Sequence, residues 1–199
     1  MQRPTLIFAT NNTHKVAEIE SVIGNHVHVI TLKEAGIDID IPEPHNTLEA
    51  NASEKSVTIH RMTGKNVFSE DTGLEVFELN GEPGVKSARY AGEHKDFNAN
   101  IDKLLLNLQD KNNRAARFRT VVSLIWNNKE YQFEGICTGT ISTTRSGNGG
   151  FGYDPVFIPD GAAVSFAEMI MEEKNKYSHR KKAIVQLVDF LNHLTDESD

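Results

Sequence analysis

The sequence predicts an α/β fold built on a mixed β-sheet, and three observations support this prediction. The chain opens with a strand, a turn and a helix over residues 5–24. Two alternating segments joined by an Asn-Asn turn predict a long antiparallel hairpin over residues 116–141. Apolar residues recur at helical spacing over 96–108 and 184–194. A strand–helix opening together with a long hairpin indicates a mixed sheet rather than a purely parallel one.

Length and composition are typical of one globular domain covering residues 1–199. The chain is 38% hydrophobic and 25% charged, and it is long enough to bury a substantial core. Its formal net charge of −7 disfavours general binding to nucleic acid or to an anionic membrane. Cys137 is the single cysteine, which excludes an internal disulfide and is typical of a reducing cytoplasm. No apolar run approaches the length of a membrane span.

The first helix carries a lysine in a position that favours an anionic ligand. Residues 5–10 predict a buried strand, and Asn12 is the predicted cap of the helix that follows. Lys15 then lies in the first helical turn, where a positive charge opposes the helix dipole and costs up to about 1 kcal/mol. An anion bound at this helix start would offset that cost. A lysine that simply points into solvent is the alternative.

The next segment contains a rigidly held acid and a lysine within an apolar stripe. His26–Leu32 is a predicted strand. Glu43 lies between two prolines, which hold the chain extended, and it is either a surface residue or a ligand. Residues 46–49 have the form of a capping box and predict a helix that ends at Met62. Lys55 lies on the apolar stripe of that helix, so it either snorkels to solvent or points into a cleft.

Two adjacent acids, Glu70 and Asp71, follow a short apolar run at 66–68. The run predicts a strand, which places the acids at its carboxyl end, where open α/β sheets bind ligands. Paired carboxylates beside the hydroxyl of Thr72 suit a hard divalent cation. A solvated acidic turn is the alternative interpretation.

The chain after these acids is predicted to turn twice. Thr72-Gly73 indicates a first turn, and residues 75–79 alternate like a second strand. Asn80-Gly81 is a strong hairpin signal. The predicted helix at 96–108 follows, and its apolar face is either core or a contact with a second copy of the chain.

A glycine-rich segment, RSGNGGFG at 145–152, ends in an aromatic residue and an acid. It matches neither a P-loop nor a dinucleotide-binding fingerprint, so a flexible loop is the simplest interpretation. However, Phe151 is followed closely by Asp154, and an aromatic face with one carboxylate can hold a planar base. The segment is therefore a candidate base-binding site.

The last helix begins with four potential cations. Ser178 is its predicted cap, and His179, Arg180, Lys181 and Lys182 fill the first turn. That end of a helix prefers anions, so in a chain with net charge −7 this placement favours an anionic or carbonyl-rich ligand.

Four motifs, in order, resemble the signatures of the inosine triphosphate pyrophosphatase family, which are house-cleaning diphosphatases of deaminated purine nucleotides. They are FATNNTHKVAEI, SEDTGLEV with GEPGVKSARYAG, GNGGFGYDPVFIP, and SFAEM with EEKNKYSHRKKAI, and together they span most of the chain. The resemblance implies a long twisted mixed β-sheet flanked by helices. It also implies two lobes with the active site in the cleft between them.

The activity implied by this resemblance is Mg²⁺-dependent hydrolysis of ITP, dITP and XTP to the monophosphate and pyrophosphate. Asp71 is the implied catalytic residue. The implied metal ligands are Asp71, Glu43 and Glu70. The implied phosphate-binding residues are Thr10, Asn12, Lys15, Lys55 and Thr72. The implied base-binding residues are Phe151, Gly152, Tyr153, Asp154, Lys174, Ser178, His179 and Arg180, and Arg180 also neutralises the triphosphate.

Two other functions are compatible with parts of the sequence. One is a catalytically silent nucleotide-binding or sensing protein on the same fold, although silent binding would not require both Asp71 and Glu43. The other is a related enzyme for modified pyrimidines, which the complete FGYD and SHR motifs disfavour. The resemblance further implies a homodimer whose partner is a purine nucleotide. The single cysteine and the net charge predict a cytoplasmic protein with no nucleic acid or membrane partner.

Overall fold

The computed structural model describes residues 3–25 and 27–196, in which strands and helices alternate in the first half of the chain. Its α-helices are α1 (Thr13–Ile23), α2 (Leu48–Thr63), α3 (Phe97–Asn107), α4 (Met171–Tyr177) and α5 (His179–Asp196). Its strands are β1 (Thr5–Phe8), β2 (His28–Thr31), β3 (Val67–Val76), β4 (Pro83–Gly84), β5 (Ala115–Trp126), β6 (Lys129–Ile141) and β7 (Phe157–Pro159). Among the described residues, no helix has the length and apolar character needed to cross a bilayer.

All of these strands belong to one mixed sheet with the order β2-β1-β3-β5-β6-β7, and β4 pairs with β3 beside this path. β1 is parallel to both β2 and β3, whereas β7 is antiparallel to β6. The α/β fold and the mixed sheet predicted from the sequence are therefore confirmed. The long hairpin is confirmed as well, because β5 and β6 are joined by Asn127 and Asn128, both with positive φ.

The contacts within the chain divide the described residues into two compact units. The first contains the described residues of 1–71, 120–135 and 180–199, and the second contains 72–119 and 136–179. The single domain predicted over residues 1–199 stays a prediction.

Each unit has its own apolar core. In the first unit, strands and α1 pack with the apolar stripe of α5, and the buried side chains include Leu6, Phe8, Ile19, Phe68, Leu124, Ile184, Leu187 and Leu191. In the second unit, the core includes Val76, Leu104, Phe118, Val156, Phe157 and Phe166. The helical stripes predicted for α3 and α5 therefore form core packing in both units.

The predicted turn at Thr72-Gly73 is wrong, because β3 runs without interruption from Val67 to Val76. Residues 67–71 are all buried, so both faces of the strand are covered and the chain continues straight through the two acids. A Cβ atom at Gly73 would lie 2.7 Å from the carbonyl oxygen of Gly84, so the glycine permits β4 to pair closely here. Glu70 and Asp71 consequently lie within a strand rather than at its end.

Residues 77–79, predicted as strand, form a 3-10 turn instead. The hairpin signal that follows is confirmed, since Asn80 and Gly81 have φ of 53° and 87° and lead into β4. The local reason is that Gly81 N–H donates to Val76 O, which closes the turn directly at the end of β3.

The residue predicted to cap the start of α1 is confirmed, whereas the cap predicted for α2 is wrong. Asn12 caps α1 by accepting hydrogen bonds from the backbone N–H groups of His14 and Lys15. Thr47, rather than Asn46, caps α2, so Glu49 occupies the second helical position and the predicted capping box does not form. The strand predicted at His26–Leu32 is present as β2, and His26 lies outside the described residues.

Candidate active site

The first unit contains a group of mostly buried ionic side chains, which we call the acid–lysine cluster. Its members are Glu18, Lys15, Glu43, Lys55, Glu70, Asp71 and Arg180. Parallel pairing of β1 with β3 places Phe8 opposite Phe68, so the start of α1 lies near the two acids of β3. Helices α2 and α5 contribute Lys55 and Arg180, and the extended segment before α2 contributes Glu43.

Glu70 supplies the anion that the sequence predicts near the start of α1. Its Oε1 atom lies 2.5 Å from Lys15 Nζ, and its Oε2 atom lies 3.4 Å from Arg180 Nε. The Glu70 side chain is fully buried, so these cations offset the cost of removing its charge from water. Lys15 is therefore paired with a carboxylate of the protein.

Lys55 does not snorkel to solvent, since it is 7% exposed. Its Nζ donates to Glu43 Oε1 at 2.7 Å and to Asp71 Oδ1 at 3.3 Å. Burial lowers the pKa of Lys55, but attraction to Asp71 and Glu43 outweighs burial and the pKa is raised overall. Lys55 is thus a buried cation that bridges two acids.

Asp71 has one carboxylate oxygen, Oδ2, that is buried and has no hydrogen-bond partner among the described residues. Burial raises the pKa of Asp71, and Glu43 and Glu70 raise it further, while Lys55 and Lys15 oppose the shift. A buried carboxylate oxygen without a partner is costly, and a bound cation would satisfy it.

The unpartnered Oδ2 atom and the neighbouring carboxylates make the cluster a candidate site for a divalent cation. Among the residues that the structure describes, no three His, Cys, Asp or Glu side chains are already grouped as a metal site. Mg²⁺ does not need such a cage, because it typically takes one or two carboxylates together with substrate phosphates and water. The unpartnered Oδ2 atom of Asp71 fits that requirement. Glu43 is close to Asp71, because both acids contact the ammonium group of Lys55.

Two members of the site were missed by the sequence analysis. Glu18 is buried on α1 and pairs with Arg180, whose base-binding role was predicted. Asn51 on α2 accepts from His45 N–H at 2.9 Å and donates to His45 O at 3.2 Å, which fixes the segment that carries Glu43. The sequence feature that could have identified Glu18 is its spacing, since it follows Lys15 by three residues on α1 and so lies on the same side of the helix.

The remaining predicted phosphate-binding residues lie at strand ends or within strands. Thr10 Oγ1 accepts from the backbone N–H of Asn12 at 3.2 Å, which closes the turn after β1. Thr10 also lines a cavity of about 660 Å³ together with one face of α1 and residues of the 33–38 segment. Thr72 is half-buried in β3, directly after Asp71.

The second unit brings together three of the predicted base-binding residues. Lys174 Nζ donates to Asp154 Oδ2 at 2.6 Å, and both side chains are at least 95% buried. The same oxygen accepts from Phe151 N–H at 2.9 Å. Lys174 Nζ also lies 5.5 Å from the centre of the Phe151 ring and 5.2 Å from that of Phe166. We call Phe151, Asp154, Phe166 and Lys174 the aromatic–lysine cluster.

The other predicted base-binding residues have different surroundings. Tyr153 is buried in the core of the second unit, where its hydroxyl donates to Ser87 O at 2.8 Å and burial raises the pKa of the phenol. Gly152 adopts φ of 61°. Ser178 joins α4 to α5 and donates its backbone N–H to Lys174 O at 3.0 Å. The His179 ring stacks on Phe118 with centroids 4.6 Å apart.

Comparison with known proteins extends over nearly the whole chain. The model of the Ham1 family matches residues 6–190. A protein of Flavobacterium psychrophilum named dITP/XTP pyrophosphatase is 48% identical over 188 residues, which cover 94% of this chain and 99% of the relative. A protein of Porphyromonas gingivalis with the same name is 50% identical over 187 residues, which cover 94% and 96%.

Solved structures agree with the sequence relatives. The structure of the Staphylococcus aureus Ham1 protein matches with a TM-score of 0.86 at 40% identity, covering 95% of this chain and 98% of that protein. A Ham1 protein from Coxiella burnetii matches with a TM-score of 0.87 at 32% identity, covering 96% and 99%. The family resemblance seen in the four sequence motifs is confirmed.

Proposed function

The chain belongs to the Ham1 family, and from that membership we propose that it hydrolyses deaminated purine nucleoside triphosphates. ITP, dITP and XTP are converted to the monophosphate and pyrophosphate, which cleanses the nucleotide pool. The observation that carries the proposal is the acid–lysine cluster, in which Lys55 contacts Asp71 with its unpartnered Oδ2 atom and Lys15 pairs with the neighbouring Glu70. This arrangement suits a metal-bound triphosphate, because it combines positive charges for phosphate with an acid for the reacting water.

Lys15, Lys55 and Arg180 neutralise the triphosphate, and Thr10, Asn12 and Thr72 supply hydrogen bonds to it. In the structure Lys15 pairs with Glu70, and Lys55 pairs with Glu43 and Asp71. Phosphate oxygens therefore replace carboxylates as the partners of the lysines.

Asp71 and Glu43 would hold Mg²⁺ in this proposal, and Glu70 is the third candidate ligand. When bound, the ion lowers the pKa of water and offsets charge that develops on the phosphoryl oxygens. Asp71 accepts the proton of the attacking water. The water oxygen bonds to the α-phosphorus, and the bond from that phosphorus to the bridging oxygen breaks. Pyrophosphate leaves with the bridging oxygen.

The aromatic–lysine cluster holds the base. Lys174 carries three N–H donors, of which one is directed to Asp154. A donor directed to position six of the purine satisfies the oxygen of inosine or xanthosine and opposes the amino group of adenosine. Phe151 supplies an aromatic face next to this donor.

The proposal is tested by measuring pyrophosphate release and kcat/KM for ITP, XTP, GTP and ATP under one Mg²⁺ condition. ATP should be poorer than ITP by a factor of about 10⁴ to 10⁵, because a buried donor would remain unpaired. Comparable values for ATP and ITP would contradict the donor pocket. Tight ITP binding without pyrophosphate release would instead favour the silent nucleotide-binding protein.

Replacing Lys15 with methionine should tighten Mg²⁺ binding to the nucleotide-free protein by about tenfold, which corresponds to about 1.4 kcal/mol. The variant removes the cation that neutralises buried Glu70, so the cluster becomes more negative. Binding of inorganic tripolyphosphate should weaken at the same time. Titration calorimetry measures both, and Lys111→Met at an exposed position is the control. Unchanged Mg²⁺ affinity would show that Lys15 does not compete with the metal.

We also propose that the protein acts in the cytoplasm as a homodimer and binds neither nucleic acid nor membrane. The net charge of −7 supports the absence of polyanionic partners, and the single, buried Cys137 supports the compartment. The homodimer rests on the family resemblance alone. Light scattering during gel filtration measures the mass directly, and a monomer at micromolar concentration would refute this part.

A further inference from the structure

We infer that Glu168 is a positioning residue that anchors the glycine-rich loop and thereby the aromatic–lysine cluster. The glycine-rich loop is residues 145–152, and the anchor is the short turn formed by Ser165–Glu168. The inference depends on the proposed function for its link to base binding, whereas the anchoring itself is a property of the second unit.

The anchor is held together by reciprocal hydrogen bonds. Glu168 Oε2 accepts from the backbone N–H of Ser165 at 2.9 Å, which completes a capping box. Ser165 Oγ donates to Ser146 O at 2.8 Å, so the same turn holds the start of the glycine-rich loop. The pKa of Glu168 is lowered by the Ser165 N–H and by the side chain of Ser146. The turn that Glu168 caps therefore holds the loop through the hydroxyl of Ser165.

The loop lies directly against the backbone of the anchor. Gly149 N–H donates to Ala167 O at 2.9 Å. A Cβ atom at Gly147 would lie 2.5 Å from the carbonyl carbon of Ala167, and one at Gly149 would lie 2.9 Å from its oxygen. Side chains at these two positions are therefore excluded by the anchor. The glycines permit a close approach here, which a loop that is merely flexible would not require.

The anchored loop leads straight into the aromatic–lysine cluster. A Cβ atom at Gly150 would lie 2.0 Å from Asp154 Oδ2, the oxygen that accepts from Phe151 N–H and Lys174 Nζ. Phe166 belongs to the anchor, and the centre of its ring lies 5.2 Å from the same Lys174 Nζ atom. One turn therefore contacts Lys174 through Phe166 and positions Phe151 and Asp154 through the loop.

Loss of the Glu168 carboxylate should weaken base recognition without affecting phosphate binding, because the proposed function assigns the cations that bind phosphate, Lys15, Lys55 and Arg180, to the first unit. Glu168→Ala should raise KM for ITP about tenfold with little change in kcat, and Glu168→Gln should lie between it and the parent because its carbonyl oxygen can still accept from Ser165. The inhibition constant of inorganic tripolyphosphate should not change. Glu172→Ala, at an exposed glutamate on α4, is the matched control.

A second readout requires no substrate. Arg145 is an exposed trypsin site at the start of the loop, so release of the anchor should accelerate cleavage after Arg145 several-fold in Glu168→Ala while the Tm changes little. Parent-like cleavage together with parent-like KM would overturn the inference. Equal weakening of ITP and tripolyphosphate binding would also overturn it, because the effect would then be general. A parent protein that hydrolyses no ITP would refute the proposed function, and the cleavage comparison would still decide the anchoring.

Discussion

Asp71→Asn should lower kcat for ITP by about 10³-fold while the protein remains folded. The amide cannot accept the proton of the attacking water and is a poorer Mg²⁺ ligand than a carboxylate. In the structure Asp71 combines burial, contact with Lys55 and an Oδ2 atom without a hydrogen-bond partner. The measurement is kcat at saturating Mg²⁺ beside a melting curve, with Asp110→Asn at an exposed position as the control.

The same variant has an expected pH signature in the metal-free protein. Because the pKa of Asp71 is raised on folding, the folded state binds more protons than the unfolded state above the ordinary value of 3.8. The free energy of unfolding of the parent should therefore fall as pH rises from 3.8 through the folded pKa of this group. Asp71→Asn should lack this decline, which urea unfolding in the presence of a chelator measures at several pH values.

A kcat near that of the parent would remove Asp71 from the mechanism.

Local features of the fold were accessible from the sequence because short-range chemistry determines them. Asn12 caps α1 with its own side chain, and the Asn-Asn turn closes the hairpin through residues that tolerate positive φ. The continuity of β3 was not accessible. Thr72-Gly73 has the composition of a turn, and only tertiary burial of both strand faces keeps it extended.

In the candidate site, too, local features could be predicted from the sequence and long-range contacts could not. Lys15 places a positive charge in the first turn of α1, where it opposes the helix dipole, and this alone predicted a nearby anion. The identity of that anion could not be predicted, because Glu70 reaches Lys15 only through the parallel pairing of β1 with β3. Glu18 was missed for a related reason. An acid on a helix is usually solvated, and its burial follows from Arg180, more than a hundred residues later in the chain.

Lys174→Met should reduce the free energy of unfolding by about 3–5 kcal/mol, because it leaves the Asp154 carboxylate buried without its cation. Both side chains of this pair are almost fully buried, and their atoms lie 2.6 Å apart. Hydrolysis of ITP should be lost in parallel, since the proposed donor to the six-oxygen is removed. Urea unfolding and kcat/KM for ITP measure the two effects, and Lys176→Met at an exposed position on the same helix is the control.

A double variant separates the two roles of Lys174. Adding Asp154→Asn to Lys174→Met removes the uncompensated charge, so part of the lost stability should return. The amide oxygen can still accept the hydrogen bond from Phe151 N–H, which keeps the glycine-rich loop in place. Activity toward ITP should not return, because no donor has been restored. Recovery of parent-like kcat/KM in the double variant would show that Lys174 serves stability alone and that the base is recognised by other groups.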